Sequence, residues 1–136
     1  MKLYVAACNR ELAERTATMF TEAGHTVLST WHTEAFLPTV EYTIGSRVDI
    51  ARRDVDEVTA SDAVVMLASP TKVAGGKFVE VGVALGQGKT VCVIGRRENM
   101  LMWHPLVLTF DTVEQCVDAA QDGALIMGAP KEETNA

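Results

Sequence analysis

One carboxylate stands apart in the stretch "GGKFVEVGVALGQGK", which runs from Gly75 to Lys89. Glu80 follows a glycine pair and lies in a run of residues that are otherwise apolar or small. Backbone amides at the start of a helix carry partial positive charge, and this charge favours an ionised carboxylate. An ionised carboxylate can attack an electrophilic carbon or stabilise positive charge on it. Glu80 is therefore a candidate reactive group, although an acid that only stabilises the helix start would give the same pattern.

A second acid, Asp54, lies on the apolar side of a predicted helix. On a helical wheel it falls between Ile50 and Val58. The same apolar arc contains Val48, Ala51 and Val55. An acid in a buried arc costs free energy unless it is paired or reaches a site, and apolar surroundings favour the protonated form that can donate a proton. Neutralisation by Arg52 or Arg53 is the structural alternative.

Aromatic side chains near the predicted strands are further candidates. Tyr4 lies on the first strand, where its hydroxyl needs a partner, and a carboxylate at the end of the sheet is one available partner. Trp31 and His32 could stack on or cap a flat ring, or could simply anchor a loop. His32 and His104 lack the spacing of a metal site, so we expect no metal or other cofactor.

The glycines and cysteines add weaker signals. Gly75 and Gly76 would allow a ligand to approach backbone amides closely, although most such pairs are only turns. Cys8 follows the first strand and could line a pocket there. An odd number of cysteines does not suit a disulfide framework, and Cys92 and Cys116 are predicted to be core residues.

Strand and helix patterns alternate along the chain. Strands are predicted over 2–7, 25–30, 63–69, 90–95 and 106–110. Helices are predicted over 10–24, 46–62, 77–88 and 111–127, with a long loop at 31–45 that has no clear period. A loop of this length in a small domain often serves as an active-site lid.

Capping residues predict where three of these helices begin. Asn9 is the expected cap of the first helix, Ser46 and Asp49 form a plausible capping pair for the second, and Thr112 and Gln115 are spaced as a capping box for the last.

The alternation predicts an α/β fold with a mostly parallel five-stranded sheet covered on both faces. Ligands bind such sheets outside the carboxyl ends of the strands. Ala6, Cys8, Trp31 and Ser69, which end or follow strands, are therefore expected at one edge and could contact a substrate.

Composition limits the kind of partner. The net charge is −6 with no basic cluster, so neither polymeric nucleic acid nor a membrane surface is an expected partner. The amino-terminal sequence resembles neither a signal peptide nor a membrane span, which favours the cytoplasm. A hydrophobic fraction of 48% suits one domain, predicted over 1–128, with a flexible tail at 129–136.

Several stretches together resemble the nucleoside 2-deoxyribosyltransferase-like family, including its monophosphate N-glycosidase members. They are "KLYVAA", "RRDVDEVTASDAVVML", "GGKFVEVGVALGQGKTVCVIG" and "ENMLMWHP". The stretches "LSTWH" and "GRRENM" resemble a small bacterial and phage-borne branch. The resemblance implies a flavodoxin-like, Rossmann-like three-layer sandwich that cleaves the N-glycosidic bond of a 2-deoxynucleoside or its 5′-monophosphate.

The resemblance also implies residue roles. Glu80 matches the family nucleophile, Tyr4 the tyrosine that orients it, and Asp54 the acid that assists the leaving base. Asn99 matches an asparagine lent to the neighbouring subunit's site, which implies a homodimer or larger oligomer. Ala74 stands where nucleoside-using members carry an acid and monophosphate-using members a serine, so the 5′ preference stays open.

Three other readings of the sequence remain. One is a hydrolase of ribonucleotides or modified nucleotides on the same scaffold, and another is a non-catalytic nucleotide-binding module. The third is a purely structural α/β subunit, against which an acid in an apolar arc counts.

Overall fold

Five parallel strands form one sheet in this computed structural model, which describes residues 1–33, 43–69 and 75–125. The strands are β1 (Lys2–Ala6), β2 (Thr26–Val27), β3 (Ala63–Leu67), β4 (Thr90–Ile94) and β5 (Val107–Phe110). The helices are α1 (Arg10–Glu22), α2 (Ile44–Ala60), α3 (Gly76–Gly86) and α4 (Val113–Gln121). Short 3-10 helices lie at Trp31–Thr33 and Met100–Trp103. The predicted α/β fold with a five-stranded parallel sheet is confirmed.

The strand order, β2-β1-β3-β4-β5, creates a crevice beside β1. The connection through α1 carries the chain outward to β2, and the next connection, through α2, carries it back across β1 to β3. The segments that leave β1 and β3 therefore diverge at the carboxyl ends of these strands. This is the topological switch point at which open α/β sheets bind ligands.

The two faces of the sheet have separate cores. One core contains Leu3 and Val5 from β1, and α1 and α4 pack on it. The other contains Tyr4 and Ala6, and α2 and α3 pack on it through residues such as Val58. Successive side chains of a strand point to opposite faces, so the sequence of β1 directs Tyr4 toward α2 and α3.

Two of the predicted helix starts are confirmed. Asn9 Oδ1 accepts a hydrogen bond of 2.9 Å from the Leu12 amide at the start of α1. Thr112 Oγ1 accepts one of 3.2 Å from the Gln115 amide at the start of α4. The Gln115 side chain reaches the Asp111 amide instead of that of Thr112, so the reciprocal half of the capping box is displaced by one residue.

The predicted start of α2 is wrong. The Ser46 amide donates a hydrogen bond of 3.0 Å to Thr43 Oγ1, so Thr43 is the N-cap and Ser46 lies inside the helix. The pairing of Ser46 with Asp49 as a capping box therefore does not hold. Ile44 and Gly45 were assigned to the loop, but Thr43 caps the helix early enough to include both.

The predicted loop at 31–45 is shorter than expected at both ends. A 3-10 helix occupies Trp31–Thr33, and α2 begins at Ile44. Residues 34–42 of the loop proposed as a lid lie outside the described residues, as does the tail at 129–136. Across the part of the chain that the structure describes, no helix combines the length and the apolar character needed to cross a membrane.

Candidate active site

An open pocket of about 370 Å³ lies at the switch point beside β1. It is lined by Ala7, Cys8, Trp31, Asp54, Gly76, Lys77 and Glu80. The volume suits a small organic ligand. Two carboxylates, an indole ring and a glycine from three separate chain segments therefore meet in one pocket, beside the residues that follow β1.

A larger hollow of about 500 Å³ lies along α2, and its lining includes Leu28, Asp49, Arg52 and Asp56. Five of its seven lining residues are charged residues of α2, and three of these are exposed. It contains neither Glu80 nor Tyr4, and nothing in it presents a buried acid. The smaller pocket is therefore the better candidate for chemistry.

Glu80 is held by a tyrosine from the strand beneath it. The Tyr4 hydroxyl donates a short hydrogen bond to Glu80 Oε2. Tyr4 is fully buried on β1, and α3 packs on the same face through Val81 and Ala84, which brings Glu80 over the tyrosine. The partner predicted for the Tyr4 hydroxyl is thus the one observed.

Burial raises the pKa of Glu80 from its ordinary value of 4.5 to about 7. The hydrogen bond from Tyr4 lowers this pKa, while the charges of Asp54 and Glu57 raise it further. Burial and the contact with Glu80 also raise the pKa of Tyr4, so its hydroxyl remains the proton donor in this pair.

The expectation that the helix start would favour an ionised Glu80 is wrong. The amides of Phe78 and Val79 already donate to the Gly75 carbonyl, at 3.0 and 3.3 Å, so Glu80 lies beyond the turn with free amides. The helix dipole acts mainly within the first turn. Desolvation is therefore the larger effect at this position.

Asp54 reaches the pocket from the side of α2 that contacts α3. Arg53 binds its Oδ1 atom through Nη2 at 3.0 Å and Nε at 3.3 Å, and the Asp54 side chain is 24% exposed. The expectation of a buried apolar arc around Asp54 is wrong, because Val48 is 48% and Val55 40% exposed. The ion pair with an arginine, which the sequence left open, is present.

Trp31 lines the pocket, whereas His32 lies behind it. The Trp31 indole Nε1 donates to the Val5 carbonyl at 2.8 Å, which fixes the ring beside β1. His32 is 2% exposed; its Nε2 lies 2.7 Å from Ser29 Oγ, and its Nδ1 contacts the Glu14 carboxylate. The structure therefore presents the indole, and not the imidazole, to the pocket.

Only some of the small residues predicted to bind substrate line the pocket. Cys8 and Gly76 line the pocket, and Gly75 is the exposed N-cap of α3 beside it. Ala6 is fully buried in the sheet and is not among the lining residues. Ala74 lies outside the described residues.

Ser69 and Asn99 do not line this pocket. The Ser69 amide donates to the Glu98 carboxylate, which joins the end of β3 to the segment after β4. Asn99 is exposed, and its Oδ1 accepts a hydrogen bond of 3.0 Å from the Leu101 amide as the N-cap of the second 3-10 helix.

Lys77 is a lining residue that the sequence interpretation missed. It is 2% exposed, and its Nζ lies 2.9 and 2.8 Å from the two carboxylate oxygens of Glu98. A lysine within an otherwise apolar helix is a signal in itself, since buried lysines are almost always paired. The sequence did not identify Glu98 as the partner of Lys77, because Glu98 lies beyond the following strand.

Metal chemistry has no support among the described residues. Within 1–33, 43–69 and 75–125, no group of three or more histidine, cysteine or acidic side chains is arranged to hold a metal ion.

The sequence model of the nucleoside 2-deoxyribosyltransferase family matches residues 3–124. No curated protein sequence matches the chain significantly.

Three solved structures share the fold. A 2-deoxyribosyltransferase from the psychrotolerant bacterium Bacillus psychrosaccharolyticus is 21% identical, with a TM-score of 0.70 over 87% of this chain and 91% of that one. A 2-deoxyribosyltransferase from Leishmania mexicana is 16% identical, with a TM-score of 0.64 over 89% and 97%. A CMP N-glycosidase from Clostridium botulinum is 14% identical, with a TM-score of 0.58 over 88% and 98%.

Proposed function

Because this chain belongs to the nucleoside 2-deoxyribosyltransferase family, a family of enzymes, we propose that it cleaves the N-glycosidic bond of a 2-deoxynucleoside or its 5′-monophosphate. The sugar passes through a covalent intermediate on Glu80 and then goes to another base or to water. The observation that carries this proposal is the hydrogen bond from Tyr4 to Glu80, in a pocket that also contains Asp54.

Glu80 is the nucleophile in this scheme. The Tyr4 hydroxyl holds Oε2, and the other oxygen, Oε1, attacks the anomeric carbon. The new bond joins Oε1 to that carbon, the carbon–nitrogen bond breaks, and its electron pair goes to the base. A pKa of about 7 leaves a large share of Glu80 ionised at neutral pH, while its burial strengthens the attraction to the developing positive charge.

Asp54 is the acid that assists the departing base. Arg53 binds Oδ1, so the second oxygen, Oδ2, carries the proton to the base nitrogen. In the second half of the reaction the same oxygen accepts a proton from the incoming base or water, which attacks the anomeric carbon and releases Glu80. The acid thus serves both half-reactions without moving far.

The other predicted contacts bind the substrate. The Trp31 indole stacks on the base, and the Cys8 side chain and the backbone of Gly76 border the sugar. Gly75, Ser69 and Ala6 support this edge of the sheet. Ala74, the remaining predicted contact, lies outside the described residues.

Asn99 serves the pocket of a neighbouring subunit in a homo-oligomer. It is exposed and does not line the pocket of its own chain, as such a residue requires. The functional unit is a single domain over 1–128 that acts on a small molecule in the cytoplasm.

A second candidate is the hydrolysis of ribonucleotides or modified nucleotides in the same pocket. It is favoured by the fold shared with a protein described as a CMP N-glycosidase. The two candidates use the same nucleophile and differ in the substrate, and only the first also includes transfer to another base.

Release of free base from a panel of substrates tests the proposal. The protein is incubated with deoxynucleosides, their 5′-monophosphates and CMP, with and without a second base, and the products are separated by chromatography. We expect base release from a deoxy substrate, and a sugar adduct at Glu80 in peptides mapped after acid quenching. Absence of base release from every substrate at high enzyme concentration would overturn the proposal, and release from CMP alone would favour the second candidate.

A further inference from the structure

A buried ion pair lies beside the pocket, one helical turn before Glu80. Lys77 Nζ contacts both oxygens of the Glu98 carboxylate, at 2.9 and 2.8 Å. The Lys77 side chain is 0% and the Glu98 side chain 10% exposed. None of the reaction steps described above uses this pair.

The Glu98 carboxylate joins three segments of the chain. It accepts hydrogen bonds from Lys77 at the start of α3 and from the Ser69 amide just after β3. Arg96 strengthens the same junction, since its Nη2 donates to the Ser69 carbonyl at 3.2 Å. The end of β3, the start of α3 and the segment after β4 therefore meet at one carboxylate.

A pair of apolar side chains would fill the same space with a lower desolvation cost than the Lys77–Glu98 ion pair. Removal of two charges from water is costly, and replacement of a buried ion pair by apolar side chains of similar volume is often neutral or stabilising. Hydrogen bonds from both Lys77 and the Ser69 amide to one carboxylate instead fix the distances between the segments they join. The presence of the ion pair is therefore better explained by geometry than by stability.

We propose that Lys77 and Glu98 are positioning residues, which fix the start of α3 and thereby hold the Glu80 carboxylate against the Tyr4 hydroxyl. This inference rests on the proposed function of Glu80 as a nucleophile. Lys77 precedes Glu80 by one helical turn, so a change in the start of α3 is transmitted directly to the carboxylate. A misplacement of about 1 Å at a reacting group can reduce a rate by roughly 100-fold.

The pair also controls the access of water to Glu80. The groups that face Glu80 are Tyr4 from β1 and the acids Asp54 and Glu57 from α2, with Arg53 paired to Asp54. Burial is the largest cause of the raised pKa of Glu80. A loosened start of α3 would weaken the hydrogen bond from Tyr4, which raises the pKa of Glu80, and would admit water, which lowers it. Burial is the larger effect, so the pKa would fall from about 7 toward its ordinary value of 4.5.

Two Lys77 substitutions and one double substitution test the inference. In Lys77→Met we expect kcat to fall by about 10- to 100-fold, with KM changed by less than about threefold. Lys77→Arg keeps a cation that binds a carboxylate through two contacts, so it should retain kcat within about threefold. Lys77→Met leaves the Glu98 carboxylate unpaired by Lys77 and should lower the melting temperature. In Lys77→Met/Glu98→Leu the melting temperature should return to the wild-type value while kcat stays low.

The double variant separates positioning from stability. If the pair served only stability, its variants would lose activity only because less of the protein is folded. Activity would then return together with the melting temperature. Recovery of kcat in the double variant would therefore overturn the inference. The double variant also answers the question if Lys77→Met alone fails to fold.

A titration of Glu80 distinguishes failure of this inference from failure of the proposed function. Proteins labelled with carbon-13 in the glutamate carboxyl group are titrated by NMR, without any substrate. The Glu80 midpoint should fall by at least about one pH unit in the double variant. If the wild type releases no base, the proposed function fails, and an unchanged Glu80 midpoint would independently overturn the positioning role.

Discussion

Helices α2 and α3 each bring one carboxylate to the same pocket, but the fold holds them differently. In α3, Lys77, Val81 and Ala84 are buried, and Glu80 rests on Tyr4 of the central sheet. In α2, Val58 is the buried residue. The proposed nucleophile thus lies on the more firmly packed helix.

Helix α2 also has an exposed side that carries apolar residues. Its apolar side chains remain accessible to solvent, with Ile44 84% and Val48 48% exposed. Asp54 pairs with the neighbouring Arg53, whereas Glu80 meets a hydroxyl and the charges of two other acids. A proton-transferring group tolerates such a setting because proton transfer requires hydrogen-bond reach more than a fixed bond angle. The difference between the two helices therefore matches the difference between the two proposed roles.

Removal of Glu80 should have the largest effect. In Glu80→Ala we expect kcat/KM for base release to fall by roughly 10⁴-fold or more, since loss of a nucleophile removes the covalent route. Glu114→Ala, an exposed acid at the start of α4, is the matched control and should retain wild-type kinetics. Substantial turnover by Glu80→Ala would remove the basis for assigning bond formation to α3.

Asp54→Asn should have the next largest effect, a fall in kcat of about 10²- to 10⁴-fold, because a general acid contributes on this scale. The loss should be greatest for bases that leave poorly without a proton, so rates are compared across deoxynucleosides whose bases differ in basicity. Asp56→Asn, an exposed acid on the same helix, serves as the control. Equal losses for all bases would show that Asp54 does not supply the proton.

Tyr4→Phe should reduce kcat/KM by about 10- to 100-fold, the usual value of a hydrogen bond to a charged group. The hydrogen bond from Tyr4 lowers the pKa of Glu80, so its removal should raise that pKa above about 7. In the proposed reaction Glu80 attacks when ionised, and the acidic limb of the pH profile of kcat/KM should therefore move to higher pH. A limb that stays in place or moves lower would contradict the role of Tyr4.

The smallest expected effect concerns stability. The pKa of Glu80 is higher in the folded protein, about 7, than its ordinary value of 4.5. Its contribution to the free energy of unfolding is therefore full below pH 4.5 and is lost as the pH rises through about 7. The side chain in Glu80→Gln stays neutral. The free energy of unfolding of this variant at pH 8 should therefore exceed that of the wild type by about 1 to 3 kcal/mol.

Urea unfolding at pH 5 and pH 8 measures this difference, with Glu114→Gln as the control. A Glu80→Gln protein that is less stable than the wild type at pH 8 would show that burial of the carboxylate carries no such cost. It would also weaken the contrast between α3 and α2.

Most of the fold was predictable because it depends on local periodicity. Apolar runs of strand length alternating with helical patterns specify parallel strands joined by helices. The start of α2 was missed because Thr43 and Ser46 are both good N-cap residues, and the sequence offers no local signal to choose between them. Strand β2 is limited to Thr26–Val27, shorter than its apolar pattern suggests, at the edge of the sheet.

The candidate site was predictable only in part. The sequence made Glu80 and Tyr4 candidates, because an acid in an apolar helix and a tyrosine in a core strand both need partners, and the structure brings the two together. The prediction of buried surroundings for Asp54 was wrong. A helical wheel shows which residues share a side of a helix, but not whether another element covers that side. Lys77 and Glu98 were missed for the related reason that their pairing joins distant segments.

The sequence by itself determined the order of strands and helices, the face of β1 that carries Tyr4, and the acids available for chemistry. Only the tertiary structure decided that Tyr4 meets Glu80, that Asp54 meets Arg53, and that Lys77 meets Glu98. It also decided the direction in which the pKa of Glu80 is shifted. Periodicity is a property of neighbouring residues, whereas desolvation and charge pairing depend on every element that packs around a group.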